Sequence, residues 1–373
     1  MSRLEIEGLC KGWDFPVIDR LDLTVEEGEF FVIVGPSGIG KTTLLRLVAG
    51  LERPDAGRIK VGGRDLTDLP PYRRKVAMTF ESYALYPHLT VFENIASPLR
   101  ARRLPKSRIT ETVVSVAQLL RIEQLLSRRP GEISGGQKQR TALGRTLVAQ
   151  PDVFLLDEPI SHLDAKIRHE LRLQFHTLEE LRKVATLYVT HDYAEALSLG
   201  DRIGVMGAGG LLQVGTAREI FQQPQHLFVA QHLGQPSINV VPAALSSVDG
   251  ALQFAAEGAE LKLPVAEPHG QALAGRSSER ITVGIRPQHV KVIRDGEVTT
   301  DTTGGAAVVD ATVAIYEALG ANGILVAETG GVRLTALTAP DAVFQHGEAV
   351  RLALRNDAFL YFDAASGRNV MVA

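Results

Sequence analysis

Gly35–Thr42 reads GPSGIGKT, and the order of its glycines, its lysine and its hydroxyl decides how the first half of the chain folds. The octet fits G-x-x-x-x-G-K-[ST] in full. Upstream, Phe30–Val34 (FFVIV) is a short apolar run of the kind that makes a strand buried on both faces. Downstream, Lys41–Ala49 reads as a helix. In that setting Gly38 and Gly40 let the backbone turn its N–H groups inward around a phosphate, and the helix N-terminus adds the positive end of its dipole. Gly35, Pro36, Ser37, Gly38, Ile39 and Gly40 then form the cradle, with Thr43 just beyond it. Lys41 should reach the β- and γ-phosphates, and Thr42 should place its hydroxyl on Mg²⁺.

Two further runs have the same character. Val153–Leu156 (VFLL) ends at Asp157, and Thr186–Val189 (TLYV) leads to Thr190 and His191. Helical material follows each, so the rhythm is that of an α/β fold with a parallel sheet, whose chemistry gathers at the carboxyl ends of its strands. Asp157 suits a carboxylate that holds Mg²⁺, usually through water. Glu158 can lie beside the γ-phosphate, where it would orient and deprotonate an attacking water. Taken alone, the pair could equally be an acidic strand-end cap. The phosphate loop decides for the metal reading.

Ile133–Arg140 reads ISGGQKQR and precedes an apolar helix, Thr141–Ala149. Ser134 can cap that helix, and Gly135 and Gly136, followed by Gln137, leave its first N–H groups accessible. This is a second anion-binding terminus. One nucleotide hardly needs two such termini from one chain, so the second serves the nucleotide of another copy. The segment from about Tyr83 to Pro130 is rich in helix formers, Ile109–Leu126 above all, and reads as a helical insertion between core strands.

The chain has 373 residues, enough for two or three domains. Forty basic and 43 acidic residues leave a net charge of −3, which offers no general attraction to nucleic acid or anionic lipid. Cys10 is the only cysteine, so no disulfide framework forms within the chain, and a reducing compartment is expected. Met1–Lys11 lacks the apolar run of a secretion signal. No stretch approaches the roughly 18 apolar residues needed to span a bilayer, so service to a membrane would come by docking. After Gly234 the texture changes to short alternating segments (Ile281–Ile285, Val308–Ile315, Gly323–Val326, Val350–Leu354) punctuated by glycine, proline and aspartate. That pattern predicts a small all-β domain, a barrel by expectation. The expected division is 1–235, with a helical subdomain at about 83–150, and 236–373.

With these residues on the page, the chain resembles the ATPase subunits of ATP-binding-cassette transporters, whose signature is LSGGQ; here Ile133 replaces the leucine. The spacing of phosphate loop, signature and Asp157 agrees as well. The resemblance implies ATP and Mg²⁺ as ligands and a head-to-tail pair of copies. Each ATP is then clamped between one copy's phosphate loop and the other's signature. It makes Ser161–Asp164 (SHLD) the loop that crosses the dimer interface, with Asp164 near the nucleotide. It makes His191 the switch histidine on the γ-phosphate, and Trp13 the aromatic that stacks on adenine; an ordinary packed aromatic is the alternative for Trp13. The family carries a glutamine on the metal where this chain has Glu81, within MTFESY (Met78–Tyr83). Glutamate still offers oxygen to Mg²⁺, but adds a negative charge beside phosphates that the metal or a proton must offset.

SYALYPHLTV (Ser82–Val91), SHLDAKIR (Ser161–Arg168) and GIRPQHV (Gly284–Val290) are similar to the maltose-type carbohydrate importers. That branch implies a tail of two oligonucleotide-binding-type (OB/TOBE-like) barrels that meet the partner's tail and can receive a regulatory protein. It implies two integral-membrane permease subunits docked near residues 83–90, and an extracytoplasmic solute-binding protein reached through them. The place of work would be the cytoplasmic face of the bacterial inner membrane. The solute implied is a carbohydrate or related polyol or glycoside. Related ATPases serve polyamines, iron or glycerol phosphate, and a non-transport cassette ATPase of repair or translation is the rival from another class. One phosphate loop, one signature and no long heptad run speak against that rival, and the tail shows no basic stripe interleaved with aromatics, so no nucleic-acid partner is expected.

Overall fold

The computed structural model describes residues 3–248, 251–265, 267, 269–273, 276, 279–294 and 306–372. Met1 and Ala373, the outer ends of the two expected domains, lie outside the described residues, as do 295–305 within the expected all-β span. The chain divides into two compact units, 1–220 and 221–373.

In the first unit, alternating burial produces β1 (Leu4–Gly12) and β2 (Pro16–Val25), paired antiparallel. The fully apolar run Phe30–Val34 becomes β3, buried at every residue, and leads through the phosphate loop into α1 (Lys41–Ala49). Strands β4 (Ala56–Val61) and β5 (Arg64–Asp65) complete a four-stranded antiparallel sheet in the order β2-β1-β4-β5. This sheet had no counterpart in the sequence reading; its strands are half-polar, and β1 and β2 run to nine and ten residues. β6 (Val76–Thr79) then enters the main sheet.

The expected helical insertion follows as α2 (Val91–Ala101) and α3 (Lys106–Leu119). A capping box, Thr90 with Glu93, starts α2. The helix expected over Ile109–Leu126 stops at Leu119. Arg121 takes a left-handed φ of 54°, and the buried Arg140 guanidinium captures the Leu120 and Arg121 carbonyls at 3.0 Å each. α4 (Gly135–Leu147) begins six residues earlier than the apolar run suggested, at the Ser134 cap.

β7 (Val153–Asp157), α5 (Ala165–Thr177), α6 (Glu179–Arg182), β8 (Ala185–Thr190), α7 (Tyr193–Leu199), β9 (Arg202–Gly207) and β10 (Gly210–Gly215) finish the unit. The main sheet has the order β10-β9-β3-β8-β7-β6. β9, β3, β8, β7 and β6 are parallel, and β10 closes one edge antiparallel. Residues of both sheets and of α1, among them Leu4, Leu23, Phe31, Leu44, Leu155 and Val189, share one buried core. That core fixes the carboxyl ends of β3, β7 and β8 side by side, Val34 opposite Thr190 and Asp157 opposite Val189.

The second unit is built on antiparallel strands, as alternation predicted. β11 (Asn239–Val248), β12 (Ala251–Ala256), β13 (Lys262–Pro264), β14 (Arg280–Ile285), β15 (Val290–Ile293), β16 (Ala306–Ala318), β17 (Gly323–Thr329), β18 (Val332–Thr338), β19 (Ala349–Arg355) and β20 (Leu360–Asp363) form two five-stranded sheets. Their orders are β13-β12-β11-β14-β20 and β15-β19-β16-β17-β18. Leu245, Phe254, Val283, Val313, Leu325 and Leu352 belong to one core common to both.

Candidate active site

Three strand ends and one loop build the site. At the loop, Gly40 adopts a φ of 112° as the N-cap of α1, a conformation L side chains rarely take. A Cβ on Gly35 would stand 2.5 Å from the Met206 carbonyl oxygen, so only glycine lets β3 and β9 approach there. Ser37 and Gly38 are exposed at the crest, and Pro36 and Ile39 are half-buried. Lys41 is 5 % exposed and folds back to donate to the Gly35 and Pro36 carbonyls at 2.7 and 2.9 Å. Burial lowers its pKa, and the nearby carboxylates of Glu158, Asp157 and Glu81 oppose that. One ammonium therefore faces three acids. Thr43 follows in the first turn of α1.

Thr42 donates its hydroxyl to Asp157 Oδ1 at 3.1 Å, which joins the loop to the end of β7. The Asp157 backbone N–H is held by Thr79 of β6 at 2.8 Å. Burial pushes the Asp157 carboxyl up to about 6; the Thr42 hydrogen bond works against this, and Glu158 and Glu81 reinforce it. A buried carboxylate and a hydroxyl in contact are hard oxygen donors of the type Mg²⁺ takes. The residues present therefore fit that ion, and a cation between them would relieve the crowding of negative charge.

Glu158 has a left-handed φ of 44°, which turns its side chain away from the strand line. Its N–H donates to Val189 O at 3.0 Å. Its carbonyl accepts from Gln139 at 2.7 Å and from the Ser161 hydroxyl at 3.1 Å. So fixed, the carboxylate meets His191 Nδ1 at 2.9 Å. Asp164 caps α5 through a bond from Ile167 N at 3.0 Å.

Other predicted residues stand apart. Ser134 and Gln137 form a capping box on α4. A Cβ on Gly135 would meet the Tyr83 hydroxyl, and one on Gly136 would meet Leu163 and the His162 carbonyl. These contacts are not with the Gly35–Thr42 loop. Trp13 sits on the turn between β1 and β2, 61 % exposed, with Lys11 Nζ 5.4 Å from its ring centre; Val17, four residues on, packs against Gly40.

Residues 18–161 match the ABC transporter family, 234–290 the MalK OB fold domain and 283–362 the TOBE domain. The chain is 41% identical over 369 residues to the sn-glycerol-3-phosphate import ATP-binding protein UgpC of Yersinia enterocolitica, covering 98% of this chain and 99% of that protein. This chain belongs to the ABC transporter ATP-binding proteins. It is 38% identical over 365 residues to the uncharacterized ABC transporter ATP-binding protein YurJ of Bacillus subtilis, covering 98% of each. The ATP-binding cassette MJ0796, solved as a dimer in a post-hydrolysis state bound to ADP and Pi, matches 58% of this chain and 99% of its own with a TM-score of 0.53 at 28% identity. The ABC transporter ATP-binding protein described here is thus an ATPase coupled to transport, with a cassette followed by MalK-type OB and TOBE domains. Among its described residues no helix is long and apolar enough to cross a membrane.

Sequence reasoning missed two polar residues of this cassette. Gln139 lay inside the quoted ISGGQKQR stretch, yet its task, holding the Glu158 carbonyl and the His162 N–H (3.1 Å), depends on the turn after β7 and leaves no motif. Glu195, 1 % exposed, accepts from the Tyr188 and Thr190 hydroxyls at 2.7 and 3.0 Å. Thr190 in turn takes the Asp192 N–H at 2.9 Å, so a buried carboxylate braces the turn that carries His191. Its only sequence signal was an acid four residues after the strand-end histidine.

Proposed function

We propose that this chain is the motor of an importer and works as a head-to-tail pair. Two copies of each active half, phosphate loop against signature, enclose two ATP molecules. The observation that carries this reading is the division of labour within one chain. Lys41, Thr42, Asp157, Glu158 and His191 gather at one sheet end, while the capped N-terminus of α4 at Ser134–Gly136 contacts Tyr83, His162 and Leu163. A second N-terminus with free donors suits a phosphate brought by another copy. The dimeric state of the MJ0796 cassette supports the same arrangement.

In this reading Lys41 binds the β- and γ-phosphates, and Trp13 stacks on adenine. Thr42, Asp157 and the oxygen of Glu81 would hold Mg²⁺, which would supply positive charge beside the phosphates. Glu158 takes a proton from the attacking water. His191, in contact with Glu158, senses the γ-phosphate, and Asp164 lies at the seam between copies. ATP favours the closed pair because its γ-phosphate touches both halves, and hydrolysis removes that differential binding. Closure pulls permease helices seated near residues 83–90, at the cytoplasmic face of the inner membrane.

The solute is a carbohydrate or related polyol. The names of the relatives add glycerol phosphate, a phosphorylated polyol, as the alternative with direct support. Co-expression with the cognate permease and solute-binding protein tests both levels. ATPase activity should rise with one member of a panel of sugars, polyols, glycerol phosphate and polyamines. No stimulation by any member would remove the importer reading, and stimulation by a polyamine alone would remove the solute class.

A further inference from the structure

Gly284–Val290 (GIRPQHV) is a motif that the ATPase cycle leaves without a task. In the second unit it places Arg286 at the end of β14. The guanidinium is 4 % exposed. Its two terminal nitrogens donate to the Leu233 and Phe221 carbonyls, and it lies 3.8 Å from the centre of the Phe221 ring. Among the described residues it forms no ion pair with a carboxylate. Burial brings its pKa down to about 10, with no counter-charge opposing. A buried cation without a counter-ion is costly, even when its hydrogen bonds are made.

Arg286 lines a cavity of about 710 Å³, within the range of small-molecule sites. Arg355, His289 and His269 share its wall, with Asp357 as the one acid among the described residues and Phe359 on the apolar side. Arg355 grips Asp357 with two bonds, of 3.1 and 2.7 Å. The His269 Nδ1 atom is buried and has no hydrogen-bond partner among the described residues.

We propose that this cavity is a second ligand site, one that takes a small organic phosphate. Two guanidiniums against one carboxylate leave one positive charge in surplus. A protonated His289 makes two, the charge of a phosphomonoester dianion. Arginine matches phosphate geometry through its fork of donors. The Phe359 side offers apolar cover for an organic body that bare phosphate lacks.

Binding should take up protons. Burial lowers the His289 pKa first; the Arg355 charge, and less strongly that of Arg286, press the same way, and Asp357 opposes them. His269 is likewise lowered by burial and raised by Asp357. An arriving dianion reverses the field of the two arginines, so His289 gains a proton as the ligand enters.

The test uses the full chain carrying Lys41→Ala, so that the phosphate loop does not take the probe. sn-Glycerol 3-phosphate, inorganic phosphate and glycerol are titrated calorimetrically near neutral pH in two buffers of different ionisation enthalpy. The organic phosphate should bind with proton uptake, more tightly than inorganic phosphate, and glycerol should not bind. His289→Gln should remove the uptake, and Arg355→Gln should weaken binding about tenfold or more. Asp357→Asn should tighten it, a gain that a misfolded protein cannot imitate. Absence of binding by either phosphate, equal affinity for the two, or affinity unmoved by all three substitutions would overturn the proposal.

Discussion

Lys41 shows how a single residue is prepared before its ligand arrives. It is held by two loop carbonyls, with three carboxylates nearby and burial pressing its pKa down. Lys41→Ala should weaken ATP binding by about 10- to 100-fold, the worth of one or two charge-assisted hydrogen bonds, read with a fluorescent nucleotide. Glu158→Gln keeps the backbone brace from Gln139 and the loop intact, so ATP should still bind while turnover falls about 10²- to 10⁴-fold; the protein should accumulate as an ATP-bound pair in size-exclusion chromatography. Normal turnover in this variant would remove Glu158 from its role. Glu195 gives a pH prediction of unusual sign. Burial raises its pKa above the ordinary 4.5, and the Tyr188 and Thr190 bonds only partly offset that. The folded state therefore holds this proton more tightly than the unfolded chain does. The resulting stability is complete below pH 4.5 and is lost as pH rises through the folded value. Glu195→Gln should flatten that decline, measured as urea-unfolding free energy from pH 4 upward. A pH dependence unchanged from the parent would show that Glu195 titrates as an exposed acid.

At the scale of elements, α4 links two surfaces. Its first turn carries the signature, and eight residues beyond Gln137 its Arg145 reaches the loop after β6. Tyr83 and Ala84 both have left-handed φ values, 64° and 45°, and their carbonyls accept from Arg145 at 3.1 and 2.8 Å. Arg145 also lies 5.5 Å from the Tyr86 ring centre. Asn94, fully buried, ties Tyr86, Leu89 and Thr90 to α2 through its amide. The expected permease groove is thus fastened to the helix whose N-terminus is proposed to meet the other copy's phosphate. Arg145→Ala should cost about 1–3 kcal/mol of stability and leave basal ATPase near the parent value. Stimulation by the permease should be lost in reconstituted liposomes; full stimulation would show the fastening to be idle. The cap at Ser134 and the strands at Phe30, Val153 and Thr186 were legible because a cap residue or an unbroken apolar run marks each one locally, whereas the polar first turns of α4 hid its true start from the apolar pattern. The early end of α3 was not, because the guanidinium that takes its last carbonyls comes from Arg140, some twenty residues away. The sheet of β1, β2, β4 and β5 escaped for a related reason. Its inward residues share a core with Leu44 and Phe31 of α1 and β3, so the apolar–polar alternation at 4–7 and 21–24 marks half-buried strands without showing what covers them.

At the scale of the whole molecule, the sequence disclosed most where one chain's chemistry is local and least where it depends on distant neighbours. The phosphate loop and the β7 carboxylates could be named from eight- and seven-residue stretches. The Arg286 cavity could not, because its walls come from segments more than a hundred residues apart. Sharing of the ATP site between copies lies between these cases: the motif count suggested it, and the contacts of α4 support it. It also makes a prediction that no single-chain site can satisfy. Lys41→Ala spoils the loop half of the site a copy owns, and Ser134→Ala spoils the half it lends. The second change should cost only about 1 kcal/mol of helix stability, so both proteins should fold. Each alone should be inactive, because every site in either homodimer has one broken half. In a head-to-tail mixture, the loop of the Ser134→Ala copy meets the signature of the Lys41→Ala copy, and that site is whole. Random pairing at equal amounts makes half the dimers mixed, each with one whole site of two, so ATPase should recover to about a quarter of the parent value. The recovery should fade on dilution below the dimer dissociation constant. A mixture as inactive as its components, at concentrations where mixed dimers are seen by native mass spectrometry, would show that each chain completes its own site.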